Sequence, residues 1–516
     1  MGGRLLQQFV CDAWASIDQS RLTWAANNQK KLRADLYSGL QDRLAQDNPQ
    51  QDVGANVGHV ILPSSHKGSV CNMHQLLQDS LAICWEYKKP DLFLTMTANA
   101  DWPEITENLL HGQSAQDRPD LVACTFHAKK EALIKKIQSG YFGGLAGKVY
   151  TIEFQKCGLP HVHMLIFLEE GDKICTVEQI DAFIFAQFLN PEIHPQLHAA
   201  VSKYMLHGPC TPEHCMENNV CKKHFSKSFT EQTIIKEDGY LDYAHPNNGQ
   251  TVEKNRVVFD NRHVVPHPQE LLVEFNCHIN LEMCASVKAV KYIHKYIYKG
   301  LDHATVQTDG PQDEICSYLD VRYISSTQTC HNIFEFSMHM EYPAVYWLPV
   351  HLPGENTVVF HPEDAIDDVV NNVKDSPLLG WCKANANPEL IDAGAHNYLY
   401  QGFPKYFVWV KGREIWKVHQ HCKVIGQMHT IPVTAGECFY LHDLLTTAKG
   451  MSLSYFSKSI LMFHFCIGAT SYEDLCSFEG QLYDTFKEAC CACSLLQDDR
   501  EWLLCLQEGV YFQTGY

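Results

Sequence analysis

Residues 148–168 read KVYTIEFQKCGLPHVHMLIFL. The runs 148–154 and 161–168 are rich in β-branched, aromatic and aliphatic residues, and Lys156-Cys157-Gly158-Leu159-Pro160 between them is turn-like, so the stretch predicts a β-hairpin. Side chains alternate along a strand, which puts His161 and His163 on one face and turns Val162 toward the core. Glu153 and Gln155 on the preceding strand also share one parity. Across the hairpin either would complete a set of two imidazoles and a carboxylate or amide around a divalent ion, with positions left for a substrate phosphate. A chain with 28 His also produces such a pair by chance, so the pair alone is an incomplete site.

Working outward, residues 72–89 place Met73, Leu76, Leu77, Leu81 and Trp85 at helical spacing before a break at Pro90, and residues 91–98 (DLFLTMTA) follow as a strand. An amphipathic helix is predicted over 118–138, opening at Arg118-Pro119, with further helices at about 176–190 and 196–206. Upstream, residues 21–46 are polar with helical propensity and 47–58 read as a loop. Residues 284–299 (CASVKAVKYIHKYIYK) read as a helix stopping at Gly300. Beyond 300 the chain turns strand-like and Pro-rich, with a helical segment near 480–507.

Two further clusters carry chemistry. On the 284–299 helix Tyr292 and Tyr296 are four apart and share a face, with Lys295 and Lys299 as neighbouring cations that would help a phenol act as a nucleophile. An amphipathic helix with tyrosine tips in water explains the same residues. The second cluster runs His207, Cys210, Cys215, Cys221, His224: five soft or borderline ligands within 18 residues. Cys210, Cys215 and Cys221, with His224 or His207 as the fourth ligand, suit a closed tetrahedral structural zinc site; unligated thiols in a loop are the alternative.

Composition narrows the classes. The chain has 516 residues, enough for two to four domains, and 45% hydrophobic against 20% charged residues, as in a folded globular protein. Its 22 Cys are diluted over that length and fit a reduced compartment better than a disulfide scaffold. The N-terminal MGGRLLQQFVCDAW has no signal-peptide core, and the apolar run 460–467 is broken by His464 and too short to span a bilayer, so an intracellular, soluble protein is expected. The Walker A pattern is absent: Gly143-Gly144-Leu145-Ala146-Gly147-Lys148-Val149 has the wrong spacing and lacks the Ser/Thr, which argues against an ATPase engine. The net charge of −19 argues against a uniformly basic, duplex-coating surface. The acidity is uneven, since 287–300 and 129–156 are each +4 whereas 355–392 and 471–516 are −6 and −7.

Taken in order, QFVCDAWASIDQSRLTW, VILPSS, PDLFLTMTANADWPEI, YTIEFQKCGLPHVHMLIFL, HGPC with its following cysteines, VVFDNRHVVPH, FNCHINLEMC and VKYIHKYIYKG resemble the replication-initiator (HUH endonuclease) region of Helitron rolling-circle transposases, the Helitron helicase-like domain. The resemblance implies metal ligation by His161 and His163, with Glu153 or Gln155 as third ligand, and nucleophilic roles for Tyr292 and Tyr296 beside Lys295. It departs from the family's usual pattern at Asn99-Ala100-Asp101-Trp102, where N-P-x-W is usual, at His263, where Trp is usual, and at Leu241–Pro246, which replaces a basic run.

The resemblance therefore implies an α+β fold: an antiparallel-sheet HUH nuclease core flanked by helices, with a Cys/His zinc-binding loop and a C-terminal mixed α/β extension. The expected divisions are 1–90 as an N-terminal helical part, 91–300 as the nuclease core, and 301–516 as a linker region preceding a helicase domain. A truncated transposon fragment is expected. It would use Mg²⁺ or Mn²⁺ for catalysis and Zn²⁺ for structure, act on single-stranded DNA at transposon ends in the nucleus, and depend on a helicase supplied elsewhere. The competing expectation is a catalytically inactive relic that keeps the fold.

Overall fold

The computed structural model describes residues 2–28, 62–155, 158–210, 215–218, 220–236, 241–254, 256–284, 318, 324–355, 375–419, 423–429, 431–446, 469–478, 480–493 and 495. The described residues up to Tyr342 form one compact unit and those from Pro343 onward another. The chain is mixed α+β, with a His/Cys cluster in the first unit.

The first unit is built on a five-stranded antiparallel sheet. Its strands are β1 (Leu92–Thr97), β2 (Leu145–Phe154), β3 (Pro160–Leu168), β4 (Ile279–Met283) and β5 (His339–Tyr342), in spatial order β4-β1-β3-β2-β5. The expected hairpin is β2–β3, in register with Glu153 opposite His161 and Thr151 opposite His163. Gly158, at φ 82°, supplies the left-handed residue of its turn.

The helices of this unit are α1 (Arg4–Asn27), α2 (Val70–Tyr87), α3 (Pro119–Gln138), α4 (Val177–Phe183), α5 (Pro195–Tyr204), α6 (Gln269–Phe275) and α7 (Ser326–Ile333). Alternation along the strands sends Leu92, Leu94, Met96, Val162, Met164, Ile166, Tyr150, Ile152, Ile279 and Leu281 to one face, where Val122, Phe126, Leu133 and Ile137 of α3 join the same core. Each fully buried aliphatic or Phe side chain there contributes roughly 1.5–3 kcal/mol. Trp102 is wholly buried, and its indole N–H donates to the Phe275 carbonyl at 2.7 Å, tying the chain after β1 to α6.

Several boundaries differ from the sequence expectations. The helix predicted over 176–190 ends at Phe183, because Phe185 leaves it to pair with His267 through two 2.9 Å backbone hydrogen bonds. α1 begins at Arg4, well before the polar stretch at 21. In α2, which Ser69 caps by accepting from the Asn72 N–H, the buried residues are Leu77, Asp79, Ser80, Ala82, Ile83 and Cys84, while Trp85 is exposed. The region predicted as strand-like beyond 300 contributes α7, which packs on α1 and α3, as well as β5. The 284–299 helix, with Tyr292, Lys295 and Tyr296, lies outside the described residues beyond Cys284.

The second unit pairs β6 (Ala344–Leu348) in parallel with β9 (Val424–Met428) and contains a separate hairpin of β7 (Phe407–Val410) and β8 (Ile415–Val418). Gly426 sits where a Cβ would lie 2.1 Å from the Gln401 carbonyl oxygen, so the close backbone approach there requires glycine. The helices α8 (Pro377–Ala386), α9 (Glu437–Thr446) and α10 (Phe486–Ala492) close a core around Trp381, Tyr400, Phe403, Phe407 and Trp416. The helical segment predicted near 480–507 is represented by α10, preceded by a short strand at Gln481–Leu482.

Candidate metal centres

The sheet face opposite the α3 core is polar at one end, and the register shows why. One row crosses the sheet as Glu153 on β2, His161 on β3 and Thr97 on β1, and His278 continues it, since the Thr97 N–H donates to the His278 carbonyl at 2.9 Å. The next row holds His339, Thr151, His163, Thr95 and Asn280. Directly opposed residues of antiparallel strands share a face, so these polar groups face one way.

Within this patch Glu153 Oε2 lies 3.1 Å from His163 Nε2. As it stands this is a hydrogen bond from the imidazole to the carboxylate; an octahedral ion with bonds of about 2.1 Å separates adjacent ligand atoms by roughly 3.0 Å, so the same distance also suits neighbouring ligands on one ion. The His161 and His163 rings meet edge to face with centroids 4.4 Å apart, and His163 stacks on Phe93. His161 Nδ1 lies 2.6 Å from Thr97 Oγ1, which leaves its Nε2 for a ligand. Burial pushes the His161 pKa well down, and the charges of His163, His278 and Lys223 push the same way, so the ring stays neutral and able to ligate. Two imidazoles and a carboxylate suit a divalent ion with open positions. Gln155 sits at the exposed end of the hairpin, its backbone closing the turn to Leu159.

Among the described residues, the group of His, Cys, Asp or Glu whose ligand atoms all lie within 4.8 Å of one another is His207, Cys210, Cys215 and Cys221. Glu153, His161 and His163 do not close to that spacing as a trio. The cysteine group fits zinc in both donor type and distance. A tetrahedral ion separates a nitrogen and a sulfur ligand by roughly 3.6 Å, and His207 Nε2 lies 3.3 Å from Cys221 Sγ. Burial opposes the Cys221 thiolate, but the N–H groups of Phe225 and Lys223, with Cys210 and Cys215, lower its pKa overall. His207 is driven toward its neutral form by burial and by the charge of Lys223.

His207 thus supplies the histidine of this group. His224 is not part of it: its backbone takes φ 55° and closes a turn on the Cys221 carbonyl. Sequence spacing left the two histidines as alternatives, and the backbone of the 221–224 turn is what separates them. Spacing also missed Thr97 and His278, whose only signals were the alternation of Thr95 and Thr97 along β1 and the position of His278 just ahead of β4.

The Asp260-Asn261-Arg262 motif turns out to be a junction. Buried Asn261 accepts from the Phe188 N–H at 2.7 Å and donates to the Pro246 carbonyl and to Asn248 Oδ1, while Asp260 caps the following turn and pairs with Arg262.

No helix among the described residues is long and apolar enough to cross a membrane. No curated protein matches the chain. Residues 1–166 match the family model of the Helitron helicase-like domain at the N-terminus, a span that ends inside β3 and takes in Glu153, Gln155, His161 and His163 but neither the cysteine group nor Tyr292 and Tyr296. Through residues 1–166 the chain is similar to the Helitron helicase-like domain.

Proposed function

We propose that this protein nicks and joins single-stranded DNA as a Helitron-type, HUH nuclease. The observation that most supports this reading is the approach of Glu153 to His163 at 3.1 Å, with His161 in the adjoining row of the same sheet face. These three side chains would hold Mg²⁺ or Mn²⁺, which when bound supplies Lewis-acid polarisation of a scissile phosphate. Tyr296 or Tyr292 attacks phosphorus in line and loses its phenol proton. The bond from phosphorus to the 3′ oxygen breaks, that oxygen takes up a proton, and the 5′ end remains as a phosphotyrosine. Lys295 favours the phenolate by its charge. Because the phosphotyrosine stores the cleaved linkage, rejoining needs no ATP. DNA at transposon ends, a helicase supplied elsewhere and a nuclear site of action belong to the same proposal.

The test is incubation of the full chain with a single-stranded oligonucleotide and Mn²⁺. A covalent adduct that survives denaturing electrophoresis and disappears in the Tyr292→Phe/Tyr296→Phe double variant supports the reading. The wider spacing of the Glu153, His161 and His163 trio favours a second reading, a protein that keeps the fold and binds DNA without cleaving it. Absence of the adduct with every divalent metal would select that one.

A further inference from the structure

We infer that Thr97 is a positioning residue for His161, holding the imidazole in the tautomer that keeps its Nε2 lone pair available to a metal ion. The metal-binding consequence rests on the function proposed above; the tautomer does not.

Thr97 is the last residue of β1 and lies directly opposite His161 in the register. Its backbone N–H is tied on the other side to His278, so the sheet holds it from both edges. A β-branched side chain has few χ1 choices, and that restriction fixes where the hydroxyl sits. From there Oγ1 reaches His161 Nδ1 at 2.6 Å. A neutral imidazole carries one proton. If Nδ1 holds it, the N–H donates to Thr97 and Nε2 presents its lone pair; if Nε2 holds it, the Thr97 hydroxyl donates to Nδ1 instead and Nε2 cannot ligate, so metal binding at His161 requires the first arrangement, with Thr97 as the acceptor. Outer-shell partners of ligating histidines commonly fix ring orientation in this way, and losing one costs about 10–100-fold in metal affinity.

The test uses the full chain without DNA. Histidine labelled with ¹⁵N distinguishes the two tautomers, and the His161 signal is identified as the one lost in His161→Gln. The Nδ1–H form is expected to dominate in the metal-free protein, to give way to a mixture in Thr97→Val, and to return in Thr97→Ser. Mn²⁺ binding, followed by paramagnetic resonance, should weaken about 10–100-fold in Thr97→Val and recover to within about threefold in Thr97→Ser. A Thr97→Val protein with unchanged melting temperature that keeps both the Nδ1–H signal and wild-type Mn²⁺ affinity overturns the inference. If His161→Gln binds Mn²⁺ as well as the wild type does, the metal reading fails, and the tautomer signal still decides the role of Thr97. If Thr97→Val does not fold, Thr97→Ser carries the decision: a Ser variant lacking the Nδ1–H preference overturns the inference.

Discussion

Glu153 Oε2 and His163 Nε2 meet at 3.1 Å diagonally across the β2–β3 hairpin, Glu153 being directly opposite His161 rather than His163. The diagonal brings the carboxylate against the buried second histidine, where it can share an ion with that ring. Glu153→Gln removes the negative charge and keeps the shape. It is expected to weaken Mn²⁺ binding by about tenfold or more while shifting the melting temperature little, because the Glu153 side chain is 43% exposed. Titration calorimetry with Mn²⁺ on the folded variant measures this, and unchanged affinity would remove Glu153 from the ligand set.

The cysteine group should hold one zinc per chain. Elemental analysis of protein purified without added metal should show it, with Cys221→Ser abolishing it. Because His207 and not His224 joins the group, His207→Ala should weaken zinc binding about 100-fold or more, and His224→Ala should leave it near wild type. The reverse order would mean that the fourth ligand is misassigned.

Two buried histidines make the fold acid-sensitive. Burial lowers the pKa of His267 to about 4, and burial together with the charges of Lys130, His127 and Lys67 lowers that of His331 to about 3. Below pH ~6.5 the unfolded chain takes up protons that the folded chain refuses, so stability falls with pH until the folded-state pKa is reached. The loss is then on the order of 3 kcal/mol for His267 and about 5 kcal/mol for His331. Neither ring nitrogen of His331 has a hydrogen-bond partner among the described residues, so His331→Leu forfeits no bond. It should flatten the decline in denaturant midpoint between pH 6.5 and 4 and change little at pH 8. An equally steep decline in the variant would remove His331 as a cause.

Asn261→Ala should cost about 2–4 kcal/mol, because it deletes three hydrogen bonds and strands the buried Phe188 N–H. Chemical denaturation measures this. A loss below about 0.5 kcal/mol would mean that water replaces the side chain without strain.

Much of the first unit was legible because its signals are local. The turn between two apolar runs announced the β2–β3 hairpin, and strand parity put His161 and His163 on one face before any tertiary contact was known. Pro119 at the first turn of α3 and the break at Pro90 bounded their elements through proline's fixed φ and missing N–H. The cysteine density marked 207–224 as a metal loop, since such ligands crowd together in sequence only where one short segment must wrap an ion.

Other features depended on partners distant in sequence. Helical pattern alone extended α4 past Phe183, but Phe185 is claimed by His267, more than 80 residues away, and a backbone cannot serve a helix and a bridge at once. The stripe of α2 was misjudged at Trp85 because periodicity ranks faces by apolarity, whereas burial follows what the helix packs against.

By itself, then, the sequence determined the hairpin, the shared face of its histidines and the thiol-rich loop, because turn chemistry, strand alternation and ligand spacing act within a few residues. Only the tertiary structure decided that Thr97 and His278 join the histidine row, that Glu153 closes on His163, and that His207 rather than His224 completes the cysteine group. Those choices depend on strand register and on the path of the backbone through space, which bring together residues that no local pattern connects.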